Sequence, residues 1–143
     1  MNKTVLLLDD IKYCPVTATT TVNGDINKDI DCSIDGDIFG DITGDINGDI
    51  NGKVIGNIAG DILGNVNGSI KGNIIGNILG DFNGELDGNL TGSVWGDING
   101  RIDGNLTGYT WGDIKGKIEG DLTGFVGGYV KGIIGGSAVS VNL

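Results

Sequence analysis

From Thr21 to Gly136 the chain divides into four-residue blocks, x-Φ-x-Gly with Φ apolar, and no insertion or deletion interrupts them. Asp41-Ile42-Thr43-Gly44, Asp45-Ile46-Asn47-Gly48 and Asp49-Ile50-Asn51-Gly52 follow one another directly. There are 29 such blocks, and the fourth residue is Gly in 27 of them, the exceptions being Lys28 and Cys32. The second is Ile, Val, Leu or Phe in 28, with Thr110 as the exception. A short unit kept in strict register over most of a chain decides its architecture before any local propensity does.

A helix does place residues four apart on one face. A Gly in every turn would cost such a helix about 1 kcal/mol each, and β-branched Ile adds to that. Collagen requires Gly at every third residue, not every fourth. In an extended chain, positions two and four share one side while positions one and three share the other. Gly also turns the backbone without a steric penalty. Each block therefore reads as a very short strand ending in a turn, and the chain as an all-β helix or solenoid. Its expected core is the Φ column, including Ile42, Ile46, Ile50, Ile58, Ile62, Ile74, Ile78, Ile98 and Ile114. One such repeat cannot bury its own apolar face, so stacked neighbours must supply the core.

Two ways of stacking satisfy the tetrad. In the one preferred from its uniformity, three chains wind round a common axis as an intertwined, triangular homotrimeric shaft, roughly 140 Å long at the strand spacing of a sheet. This build leaves no open lateral edge. In the alternative a single chain forms a four-sided solenoid with 16 residues per coil, roughly 35 Å tall. A longer series favours the second: Leu63, Leu79, Trp95 and Trp111 are each 16 residues apart, as are Thr91, Thr107 and Thr123.

The flanks differ from the array. Residues 1–20 contain no Gly and read as an N-terminal anchor or cap, with Val5, Leu6, Leu7 and Leu8 as the attachment segment. Residues 21–136 are the repeat shaft and 137–143 a C-terminal cap strand. Near the end the outward positions turn apolar at Phe125, Tyr129 and Ile133, a patch expected to be covered. No run reaches membrane-spanning length. The apolar segment at the start is too short for a secretory signal and runs into Asp9-Asp10, which points to synthesis in a cytoplasm.

Formal net charge is −10. Such a chain does not suit a nucleic-acid partner, which is held by Lys and Arg. The chain has no His, so it offers no Ser-His or Cys-His pair. Its Asp residues sit in repeated outward positions rather than in the one distinctive environment that tunes a catalytic carboxyl. The expected protein is not an enzyme and holds no cofactor. Asp25, Asn27 and Asp29 have the opening spacing of a calcium loop, but Ile30 and Gly36 stand where that loop needs Gly and Glu; they are weak metal candidates only. Stacked carboxylates at position one repel unless amides, water, lysine or a cation offset them. Cys14 and Cys32 lack a metal or redox spacing and are expected as reduced thiols. Trp95 with Trp111, and the Thr rank, are the candidate binding surfaces, for a glycan or for ice.

The repeats at Gly44–Gly52 (GDINGDING), Gly72–Gly80 (GNIIGNILG), Gly88–Gly92 and Gly104–Gly108 (both GNLTG) resemble the G-N-[VL]-T arrays of tailed-bacteriophage fibre and other virion structural proteins. The resemblance spans about four-fifths of the chain and implies a rigid, trimeric β-helical shaft on a virus particle, attached at one end. The chain lacks a recognisable receptor-binding head or folding-chaperone domain, which favours a small head fibre, spike or capsid decoration over a complete tail fibre. The expected partners are copies of itself and other virion proteins through residues 1–20, with host-surface contact as a further role and no membrane insertion. A self-assembling host filament or surface protein, and a glycan- or ice-binding module, are the alternatives.

Overall fold

The computed structural model describes residues 21–139. The chain winds into a parallel β-solenoid of about seven turns with 16 residues per turn. Residue n lies against residue n+16: Thr21, Val22 and Asn23 pair with Asp37, Ile38 and Phe39, and Leu106 to Thr110 pair with Leu122 to Val126. Four tetrads complete one coil, so the solenoid has four sides, here numbered from the tetrads that begin at Thr21, Asp25, Asp29 and Ser33. Coils are numbered from residues 21–36 (coil one) to 117–132 (coil seven), and residues 133–139 continue the ladder. The pairing closes inside one chain, as in the four-sided alternative. A triangular wind would pair each strand with a different chain, and that is not the pairing observed.

Side one is an eight-stranded sheet that runs from Thr21–Asn23 to Ile133–Ile134. Side two carries a six-stranded sheet from Ile58–Ala59 to Ala138–Val139, so the start of the sequence-defined C-terminal cap continues the ladder. Sides three and four are joined mostly by single bridges, such as Ile46↔Ile62 and Val66↔Phe82. The Φ residues of all four sides point inward and fill the interior. Ile42, Ile46, Ile50, Ile58, Ile62, Ile74, Ile78, Ile98 and Ile114 are all fully buried. Burial of one such side chain is worth about 1.5–3 kcal/mol, and neighbours in successive coils share that interior. Thr110 sits in the same column, buried between Val94 and Val126, with its Oγ1 unpartnered.

The glycines mark the corners, and their necessity is a matter of contact between coils. A Cβ added to Gly100 would fall on the carbonyl oxygen of Gly84. Gly24, in coil one, would have nothing within 4 Å of its Cβ. A side chain at position four therefore points toward the preceding coil. Both exceptions to the glycine rule, Lys28 and Cys32, belong to coil one. Cys32 packs against the core and is disulfide-bonded, which corrects the expectation of reduced thiols; Cys14 lies outside the described residues.

Position one has a role that the sequence did not reveal. The Oδ1 of Asp25 accepts the N–H of Asp41, Asp41 accepts Asn57, Asn57 accepts Asn73, and the chain of bonds continues to Ser137, each at 2.7–2.9 Å. Sides three and four carry equivalent ladders from Asp29 to Ser93 and from Ser33 to Tyr129. Each Asp or Asn thus satisfies a corner N–H that the turn leaves unpaired, and an ionised acceptor strengthens that bond. Stacked carboxylates are tolerated because a donor lies between them. Side one is built otherwise: the N–H groups of Ser69, Glu85, Arg101 and Lys117 donate to the carbonyls of Gly52, Gly68, Gly84 and Gly100 at 2.9–3.1 Å. From coil three on, position one is there released from capping, and it carries Lys53, Ser69, Glu85, Arg101 and Lys117 instead of Asp or Asn.

Candidate interaction face

With positions one, two and four committed to corners and core, position three is the free variable of each tetrad. It differs by side. On side four it is an amide ladder, Asn51 to Asp35, Asn67 to Asn51, Asn83 to Asn67 and Asn99 to Asn83, at 2.8–2.9 Å. On side two Thr91, Thr107 and Thr123 align in register and are exposed. On side three the column reads Asp31, Asn47, Leu63, Leu79, Trp95, Trp111.

The four apolar members of that column are about half exposed, Trp95 at 54% and Leu63 at 46%. Trp95 and Trp111 stack with ring centroids 5.4 Å apart and planes 19° from parallel, and Phe125 meets Trp111 edge-on at 6.3 Å. Tyr109 lies 6.4 Å from Phe125. These are favourable aromatic geometries. Position one changes in the same region, from Asp29, Asp45, Asp61 and Asn77 to Ser93, Tyr109 and Phe125. The corner changes with it. Strands Leu90–Val94, Leu106–Thr110 and Leu122–Val126 run straight through from side two to side three; Ser93 is the last residue of the side to be capped, by Asn77, and at Tyr109 and Phe125 ladder pairing replaces the Asp/Asn cap. Gly108 and Gly124 permit this with φ of 142° and 135°, values closed to residues with a Cβ. The rank of Trp found in the sequence is therefore a real surface feature. Each indole spends one face on its neighbour.

A second feature went unseen in the sequence. Arg101, Lys115, Lys117 and Lys131 line an open groove of about 550 Å³ at the corner between sides four and one, with Asn83 and Asn99 beside them. Each cation has an acidic partner: Arg101 with Asp103 and Glu119, Lys117 with Glu119 at 2.7 Å, Lys115 with Asp97 at 2.7 Å, and Lys131 with Asp113 at 3.5 Å. The Lys115 hydrogen bond holds the Asp97 carboxyl below its usual range and raises the Lys115 ammonium in turn. Lys117 does the same to Glu119, while for Asp113 the main cause is the N–H of Tyr129. The signal was present, since Arg101 and Lys117, like Lys115 and Lys131, stand 16 residues apart.

The weak metal candidates are not assembled into a site. Asp25 and Asn27 lie on side two and Asp29 on side three, and their Oδ1 atoms accept from the Asp41 N–H, the Thr43 hydroxyl and the Asp45 N–H at 2.8, 3.1 and 2.8 Å. Among the described residues no three metal-ligating side chains converge. The attachment segment Val5–Leu8 lies outside the described residues. No protein-family model, curated protein or solved structure matches this chain.

Proposed function

We propose that the protein is a structural component of a bacteriophage particle: a short, stiff rod that serves as fibre, spike or capsid decoration and joins the particle through residues 1–20. The observation that carries this reading is the uninterrupted coil. Every tetrad from Thr21 onward is spent on core, corner or ladder, and no loop interrupts the array to carry a reactive group. Stiffness follows from a continuous Ile interior flanked by rows of hydrogen bonds that run the length of the rod. The tetrapeptide resemblance supplies the virion context, and with it assembly after synthesis in the host cytoplasm. The role is mechanical and needs no cofactor. Because the ladders close within one chain, self-association in this reading, the expected trimer included, uses side faces or ends.

The test is mass spectrometry of density-purified phage particles whose genome carries this sequence. The protein is expected among the virion components at a fixed copy number, and a version lacking residues 1–20 is expected in the lysate but not on the particles. Absence of the full-length chain from the particles overturns the reading. Retention of the truncated chain overturns the anchor.

A further inference from the structure

The walls of the groove between sides four and one have no part in building the coil. Its floor is the glycine corner, Gly84, Gly100, Gly116 and Gly132, where no side chain keeps a bound molecule from the backbone. One wall is position three of side four, and the other is position one of side one. Both columns change character at the same height. On side four the amide ladder ends at Asn99, and Lys115 and Lys131 follow. On side one Glu85 gives way to Arg101 and Lys117. Residues 21–139 hold seven Lys and Arg, and four of them line this one corner.

The acidic partners of these cations stand outside the groove. Asp97 and Asp113 are at position one of side four, and Asp103 and Glu119 at position three of side one, each further from the corner than the cation it pairs with. None of the four is among the lining residues, whose one carboxylate is Glu85 at the end of the groove. The cations are thus restrained from behind and open toward the corner. They also keep donors in hand. Lys115 and Lys117 each make a 2.7 Å contact to a carboxylate, and an ammonium has three N–H groups. Arg101 spends Nε on Asp103 and Nη2 on Glu119, which leaves the Nη1 group. Ion pairs this exposed hold weakly, so an incoming anion shares or replaces a partner at little cost.

We propose that this groove binds a short stretch of an acidic polysaccharide laid along the rod axis. The cations take its carboxylates. Asn83 and Asn99, whose amides both donate and accept, take its hydroxyls, and the glycine floor admits a flat sugar ring. Coils repeat about every 4.8 Å, close to the length of one sugar ring, so each wall offers a donor per ring. The volume of about 550 Å³ suits a ligand of that size. Other polymers fit the corner less well. No aromatic ring stands on its walls for a nucleic-acid base to stack on. An extended peptide is fixed by an open strand edge, and here the N–H groups of Arg101 and Lys117 are spent on the carbonyls of Gly84 and Gly100. The inference goes beyond the virion reading and does not depend on it. If both hold, the groove is the place of host-surface contact.

The experiment titrates the full, isotope-labelled chain with tetragalacturonate, which carries a carboxylate on every ring, and follows the amide NMR shifts. Saturable shifts are expected at Asn99, Arg101, Lys115 and Lys117. No shift up to about 10 mM, a tenfold excess over a weak Kd of roughly 1 mM, overturns the proposal. The methyl ester of the same oligosaccharide, which has no charge, is expected to leave the spectrum unchanged, and an equal response overturns the role of the cations. Tetra-aspartate and sodium sulfate separate the sugar from bare charge. Both are expected to bind more weakly, and equal affinity overturns the sugar assignment. The double variant Lys115→Met with Lys117→Met is expected to bind tetragalacturonate about tenfold more weakly, through the loss of two charge-assisted hydrogen bonds. Its circular dichroism should match the parent, because both side chains are 45% exposed. Undiminished affinity in that variant places the sugar elsewhere and overturns the proposal.

Discussion

Coils one and two and coils five to seven share a backbone and differ in nearly everything outside it. The first pair is acidic, is capped at sides two, three and four by Ser or Asp oxygens, and presents Asp31 and Asn47 on side three. The later coils carry an aromatic row, run their strands through one corner, and gather four cations at another. All five ion pairs among the described residues fall between Asp97 and Lys131. The difference teaches that this coil has two kinds of position. Positions two and four answer to the interior and to the coil before them, and they hardly vary. Position three, and position one wherever the backbone caps its own corner, answer only to the surface and vary freely.

The sharpest way to break that comparison is at the corner glycines. Gly100→Ala puts a methyl group onto the Gly84 carbonyl, and we expect a loss of about 3 kcal/mol or more in urea unfolding. Gly24→Ala, with no coil beneath it among the described residues, should cost only about 1–2 kcal/mol for its φ of 134°. Equal costs would mean that contact between coils is not what demands Gly. The caps come next. Asp45→Ala leaves the N–H of Asp61 without its acceptor and should cost about 1–3 kcal/mol. Ser93→Ala, where the corner is a continuous strand, should stay within about 0.5 kcal/mol. Thr110→Val removes a buried, unpartnered hydroxyl at similar volume and should raise stability by about 1 kcal/mol; a loss would reveal a partner for that oxygen.

The smallest effect separates the ends by pH. Asp97 and Glu119 titrate lower in the folded chain than in the unfolded one, through Lys115 and Lys117. Their contribution is whole near neutrality and is lost as pH falls through and below the ordinary carboxylate range of about 4. Both carboxyls are solvent-exposed, so the expected change is slight and should shrink further with salt. Urea midpoints measured between pH 6 and about 2.5, spanning that range, should show a smaller acid-induced drop in the Lys115→Met, Lys117→Met variant than in the parent.

Much of this was legible beforehand, and the reason is local. The alternation of Ile42 with Asp41 and Thr43, and the glycine that closes the block, state inside, outside and turn within four residues. The Trp and Thr ranks, 16 residues apart, were legible too, but what each polar residue does to its neighbour in the next coil was not. The capping role of Asp25 or Asn73 depends on a corner N–H in the next coil. The cation groove needs Arg101 and Lys115 to sit on two sides of one corner. The disulfide of Cys32 involves a position where glycine is the rule.

By itself the sequence determined that this protein is built of short strands with an Ile interior, because a four-residue period with Gly at its end suits no other backbone. It did not determine how many tetrads close a coil. A tetrad repeat can pair with any other tetrad, in its own chain or in another, so the core alone is nearly indifferent to the choice between three and four. Only the tertiary structure decides it. Four tetrads per turn set Asn on Asn, Thr on Thr and Trp on Trp, and they bring each Asp or Asn oxygen beneath the N–H of the coil above. Those contacts exist only once the coil has closed.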